Sequence, residues 1–234
     1  MNIFWFRRDL RLEDNIGLFH ALSEDDEVLP IFIFDEKILS ELPKDDARVS
    51  FIHELLSKIQ IKLHENGKSL AVFHGEPKAI FEKLIEENKI KTVYTNHDYE
   101  PYARKRDKEL NQLFKDNDVE FKTSKDQVIF EKNEVVKDDG TPYVVYTPYS
   151  KKWKEALSKI KLNQYNSEDK LDKITNHSYS FLSLKDIDFE DSEIKVTPFD
   201  ISSKVISNYE GTRNFPALNG TSMLGTYLRF GSVS

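Results

Sequence analysis

Short apolar runs alternate with helical periodicities over the first 130 residues. The runs fall at 2–6 (NIFWF), 28–34 (VLPIFIF), 69–73 (SLAVF), 90–95 (IKTVYT) and 119–123 (VEFKT). They are rich in β-branched and aromatic residues and nearly unbroken, the pattern of strands buried on both faces of a parallel sheet. Between the second and third runs, Val49, Ile52, Leu55, Leu56, Ile59 and Leu63 recur at helical spacing, with Asp45-Asp46 as the N-cap and Asn66-Gly67 as the stop. Ile80, Phe81, Leu84 and Ile85 form a second stripe, and Leu110, Leu113 and Phe114 a third. Five strands with intervening helices predict an α/β fold built on an open, doubly wound, parallel five-stranded sheet.

The pattern breaks after residue 130. Residues 131–150 carry Asp139-Gly140, Pro142 and Pro148 among aromatics, a turn-rich connection. Lys151, Lys152, Lys154, Lys159 and Lys161 predict a short solvated helix. In 181–200, Lys185 and Lys195 stand against Asp186, Asp188, Glu190, Asp191, Glu193 and Asp200, a net of −4 that reads as an exposed linker. From 201 the balance reverses, with Lys204, Arg213 and Arg229 against Glu210. The expected organisation is an α/β domain over 1–130, a connection over 131–197, and the truncated start of a second domain over 198–234, which stops within one or two helices. Phe215, Leu218, Leu224, Tyr227, Leu228 and Phe230 have little chain left to pack against, so the sequence reads as the first part of something longer.

Composition narrows the chemistry. The 234 residues carry 34 Lys and Arg against 41 Asp and Glu, a net charge of −7, and no cysteine. Disulfides, thiolate catalysis, iron–sulfur ligation and thiolate zinc sites are excluded, and a reducing cytoplasm is the expected compartment. The first apolar run stops at Arg7-Arg8, too short for a signal segment or a membrane span. The six histidines lack ligand spacing, and His53-Glu54 has no second histidine four residues on, so no metal is expected. The glycines form no dinucleotide fingerprint, P-loop or nucleophile elbow. A pI near 5.5 argues against a nucleic-acid-binding surface over the whole molecule, while leaving room for a local basic patch.

Three segments remain. Trp5-Phe6-Arg7-Arg8-Asp9-Leu10-Arg11-Leu12-Glu13-Asp14-Asn15 follows directly on a buried strand. Residues past the carboxyl end of such a strand face the ligand crevice, so these charges form either an ion-pair network stiffening the loop or a ligand-facing or interface surface. The aromatics of 140–153 read as packing where one domain meets another. In 209–231, Gly220 allows close backbone approach, and Thr221 as an N-cap would open a helix whose free N–H groups, with the Thr221 and Ser222 hydroxyls, suit a phosphate. An ordinary capped helix is the alternative.

Together these segments resemble the DNA photolyase and cryptochrome family: W-F-R-R-D-L-R-L-x-D-N at the first strand, T-P-Y-x-V-Y-T-P-[FY]-x-K-x-W at the exit of the antenna domain, and G-T-S-x-L-x-x-Y-L-R-F-G at the entry to the flavin domain. The resemblance covers the whole chain and implies a Rossmann-like antenna domain leading into a helical flavin domain. It implies FAD as cofactor, with Tyr209 and the loop Thr221, Ser222, Met223, Leu224 and Gly225 as its contacts; Gly225 stands where the family usually has serine. Arg213 matches a position that contacts DNA phosphate. The implied activity is light-driven repair of cyclobutane pyrimidine dimers in damaged DNA by electron transfer from reduced FAD, in a monomer, with the 234-residue chain inactive alone. A cryptochrome-type light receptor and a stand-alone antenna or partner-binding module are the alternatives. Folate-binding members carry Asn-Glu after Y-E-x, where this sequence has Tyr102-Ala103. A folate antenna is therefore disfavoured, and a deazaflavin, a flavin or none is expected in a crevice near Arg7, Arg8, Arg11, Phe34, Asp35 and Tyr102.

Overall fold

The computed structural model describes residues 1–234. Its elements are β1 (Asn2–Phe6), α1 (Ile16–Ser23), β2 (Val28–Asp35), α2 (Glu36–Leu39), α3 (Ala47–Glu65), β3 (Ala71–Gly75), α4 (Pro77–Glu87), β4 (Thr92–Asn96), α5 (Pro101–Asp116), β5 (Glu120–Ser124), α6 (Tyr146–Leu157), α7 (Ser203–Thr212) and α8 (Gly225–Arg229). All strand pairs are parallel, in the order β3-β2-β1-β4-β5. The order reverses between β1 and β4, which opens a crevice beyond their carboxyl ends.

Alternation along β1 builds both layers. Phe4 and Phe6 face the core shared with α1 and α3, while Ile3 and Trp5 face α4 and α5. The α3 boundaries are as its periodicity predicts: Asp46 accepts from the Arg48 N–H at the start, and Asn66 ends the helix. β3, β4 and β5 begin one or two residues later than their apolar runs suggest, because Leu70, Ile90 and Val119 are buried in the approach to each strand rather than within it. The helix α1 is absent from the periodicity reading. It has two turns, capped by Asn15, whose side chain accepts from the Leu18 N–H.

The second half differs from expectation in three places. The lysine-rich helix starts at Tyr146, inside the stretch read as turns. The acidic segment 181–200 is not simply exposed: Ile187, Phe189 and Ser192 are buried, because its apolar residues pack against the α1/α3 core while its charges point outward. Upstream, Leu171 and Ile174 are buried as well, and Thr175 donates to the Val28 carbonyl at 2.9 Å. The aromatics expected to pack between domains are partly open, with Tyr146 77% exposed; Trp153 meets Phe130 edge-on at 5.6 Å, and Tyr143 lies tilted against Tyr149 at 6.1 Å.

Candidate functional site

A cleft of about 540 Å³ lies past the carboxyl ends of β1 and β2, against the first turns of α5. Each wall follows from local sequence. Trp5, at the end of a buried strand, supplies its floor. Phe34 and Asp35 end β2, and Asp35 also caps α2 by accepting from the Lys37 N–H at 3.1 Å. Pro101 starts α5, which brings Tyr102, Ala103 and Arg106 to the opening. The Tyr102 hydroxyl donates to Asp35 at 2.7 Å, and Arg106 lies over the Trp5 ring at 4.7 Å and within 3.6 Å of Asp35. Burial and the bond to a carboxylate push the Tyr102 phenol well above its ordinary range, and burial pulls the Arg106 guanidinium down from its usual value.

Five of the six crevice candidates meet here: Arg7, Arg8, Phe34, Asp35 and Tyr102 line the cleft. Their charges are already committed. Arg7 makes a two-pronged contact to Asp107 at 2.6 and 2.8 Å and lies over Trp5 at 5.0 Å. Arg8 reaches Glu100 at 3.1 Å, and Arg229 from α8 reaches the same carboxylate at 3.2 Å, which holds Glu100 below the usual carboxylate range. Arg11 lies elsewhere. It is buried in a fork with Asp126 at 2.7 and 3.0 Å and reaches the carbonyls of Asp14 and Gly231. The loop after β1 is therefore both an ion-pair network and a cleft wall. Ala103, Arg106, Arg229 and Phe230 also line it; the apolar-to-basic switch after Pro101 and the R-F-G ending were the signals that could have found them.

The second candidate group sits on α7 and the loop before α8. Tyr209 is 47% exposed, and Arg213, which has no acidic partner, lies 5.8 Å over its ring. Thr212 donates to the Gly220 carbonyl at 2.8 Å, which sets the 220–224 loop against the end of α7. A side chain at Gly220 would strike Thr212 at 2.4 Å. Thr221 does not cap a helix. The chain passes through a left-handed Met223 (φ 54°) before α8 starts at Gly225 behind Leu224 as N-cap, so the helix opens three residues later than expected, and the Thr221 hydroxyl points to the Met223 sulfur.

Geometry of this kind has relatives. A family model described as DNA photolyase matches residues 2–168. The chain belongs to the DNA photolyase family. A deoxyribodipyrimidine photo-lyase of Synechococcus sp. is 30% identical over 99% of this chain and 51% of its own length. The crystal structure of a class III photolyase from Agrobacterium tumefaciens superposes with a TM-score of 0.78 at 26% identity, over all of this chain and 51% of that one. An archaeal photolyase from Sulfolobus tokodaii, described with two FAD molecules and an implied novel light-harvesting cofactor, gives 0.69 at 28% identity, again over all of this chain and 53% of that one. This photolyase-family chain thus spans about half the length of each of these three relatives.

The donor sets can be tested against the groups the family implies. The cleft is lined by the aromatic rings of Phe34 and Tyr102 and by the Asp35 carboxylate, a lining that suits a flat chromophore with polar edges. Ala103, buried and apolar, and Tyr102, already bonded to Asp35, do not supply the amide and carboxylate that a folate would need. Thr221 and Ser222 carry hydroxyls of the kind that would donate to the phosphates of FAD, but without the helix start expected behind Thr221. The rest of that cofactor has no walls here, since neither α7 nor α8 contains a buried residue.

Proposed function

We propose that this chain forms the antenna half and the first flavin contacts of a light-driven enzyme that splits cyclobutane pyrimidine dimers in DNA. The cleft carries the reading: an aromatic-floored slot at the switch point of the sheet, of a size for one small chromophore, within a photolyase-family chain. Trp5 and Phe34 back its floor, with the Arg7 and Arg106 guanidiniums lying over the Trp5 ring, Asp35 offers an acceptor, and the more exposed Tyr102 a ring for stacking. A deazaflavin or a flavin is the occupant that this lining favours, and a folate is not. Bound reduced FAD would supply the light-driven electron that opens the dimer. Thr221, Ser222 and the amides of Met223–Gly225 hold its phosphates, and Tyr209 closes one side. Arg213 holds a DNA phosphate beside the lesion, which positions the strand without reading its sequence.

The test is a repair assay on the complete protein that carries this chain. With flavin reduced, blue light should remove a single cyclobutane thymine dimer from a duplex. Retained flavin without dimer loss would overturn the repair reading in favour of a light receptor. Titration of the 234-residue chain with methenyltetrahydrofolate and with a deazaflavin, followed by absorbance, tests the antenna; tight folate binding would overturn that part.

A further inference from the structure

The segments at 7–15 and 220–231, far apart in sequence, form one joint. Arg11 donates to the Gly231 carbonyl at 3.1 Å with the same guanidinium nitrogen that contacts Asp126, and its other nitrogen holds the Asp14 carbonyl at 2.7 Å. One residue earlier, Leu10 donates its N–H to the Phe230 carbonyl at 3.1 Å. Gly231 is left-handed (φ 59°), and a side chain there would lie 2.1 Å from the Arg8 carbonyl oxygen. The same glycine closes α8: its N–H reaches the Leu228 carbonyl and the Ser232 N–H reaches Tyr227, the paired bonds of a helix stop. From there α8 is one and a half turns long, and Leu228 donates back to Leu224, the last residue of the phosphate loop. Phe51 on α3 supports the joint edge-on, 5.5 Å from Tyr227 and 5.6 Å from Phe230.

We propose that Arg11, acting through the Gly231 carbonyl and α8, is a positioning residue for the Thr221–Leu224 loop. The planar fork explains the choice of arginine. It satisfies one carboxylate and two carbonyls at once, in fixed geometry, from a buried position, which a lysine ammonium cannot do. The loop itself has few anchors: Thr212 at Gly220 and the Asp200 N–H at the Ser222 carbonyl are its other ties. The end of α8 therefore decides where the loop sits relative to the sheet. The inference rests on the flavin reading for what the loop holds, and not for the joint itself.

Amide hydrogen exchange of the 234-residue chain tests it without flavin. Three variants are compared with the parent: Gly231→Ala; Arg11→Gln with Asp126→Asn, which leaves no buried unpaired carboxylate; and Arg11→Lys, which keeps the charge beside Asp126. In the first two, the hydrogen-bonded amides within 221–232, Leu224 and 228–232, should exchange at least about tenfold faster, while those of Leu55–Leu63 in α3 stay within about twofold. Arg11→Lys should fall between them and the parent. Unchanged exchange over 221–232 overturns the proposal. So does equal acceleration in α3, which would make Arg11 a residue of general stability, and this holds also if Gly231→Ala alone fails to fold. If the joint behaves as stated but the complete protein retains flavin equally well without the Thr221 and Ser222 hydroxyls, the flavin reading fails and the joint stands.

Discussion

At the scale of single residues, the buried polar hub behind β1 shows why the R-D-L-R-L-x-D-N run is so specific. Asp9 is 1% exposed, and both of its oxygens accept: one from the Arg7 N–H at 2.7 Å, the other from Asn96 at 2.6 Å and Asn15 at 3.4 Å. Burial, and then the nearby Asp126, push its carboxyl above the ordinary range, yet the ring of donors keeps it useful. Asp9→Asn is the sharper test for that reason. An amide of the same shape turns one acceptor into a donor facing a donor, and should cost roughly 1–3 kcal/mol in urea unfolding at pH 7. Tyr102 makes a second case, with a sign that follows from its raised phenol. Below about pH 10 the phenol is protonated in both states and pH does not matter. Above it, the unfolded chain gives up a proton that the folded chain keeps, so stability falls as pH rises. The fall in urea midpoint between pH 9 and 11 should be shallower in Tyr102→Phe than in the parent.

Elements differ in how openly the chain declares them, and the reason is how many residues each contributes to one pattern. α3 has 19 residues, and Val49, Leu55, Leu56, Ile59 and Leu63 are all buried on one stripe, so period and caps agree with the structure. β1 and β2 are buried at every position and are equally legible. α1 has eight residues, too few for a period, and is fixed instead by long-range contacts. The Asn96 side chain accepts from the Gly17 N–H at 3.0 Å and donates to Asp9 and Asn15, so β4, the β1 loop and α1 are joined at one amide. Nothing local announces that. A Cβ at Gly17 would stand 2.5 Å from the Asn96 oxygen and 3.0 Å from the Phe4 ring. With Asn96 held by three hydrogen bonds, Gly17→Ala should cost about 1–3 kcal/mol, where a helix-interior glycine with free space would gain from alanine. Gly211 in α7 has nothing within 4 Å of its Cβ position and serves as that control. The cleft was legible in the same partial way. Strand ends predicted Arg7, Arg8, Phe34 and Asp35, but Arg106 and Phe230 reach it only through the placement of α5 and α8.

Across the whole molecule, burial is concentrated in the sheet and its covering helices and thins toward the carboxyl end. The 131–197 connection is sewn down at intervals, by Ser167 against the Asn15 N–H and the Leu12 carbonyl, by Thr175 at Val28, and by Ile187 and Phe189 in the core. Limited proteolysis should therefore cut first in the exposed stretches 138–147 and 158–164, before 167–175; early cutting within α3 would contradict the layout. The flavin question belongs to this scale as well. A cofactor with an isoalloxazine, a ribityl chain, a pyrophosphate and an adenosine needs most of its surface enclosed for tight retention. This chain offers one loop and one tyrosine. Tyr209 is 47% exposed, Met223 45%, and Phe215, Leu218 and Leu228 each more than half, so the apolar surface that would back a flavin faces solvent. The joint at Arg11 and Gly231 holds the loop in place but adds no wall. The 234-residue chain should therefore retain FAD weakly or not at all, with the flavin absorbance band lost on a desalting column, whereas in a longer protein that carries it Thr221→Ala with Ser222→Ala should lower the flavin content after purification. A stoichiometric yellow complex of the 234-residue chain would show that the loop, Tyr209 and α8 enclose more of the cofactor than their exposure indicates.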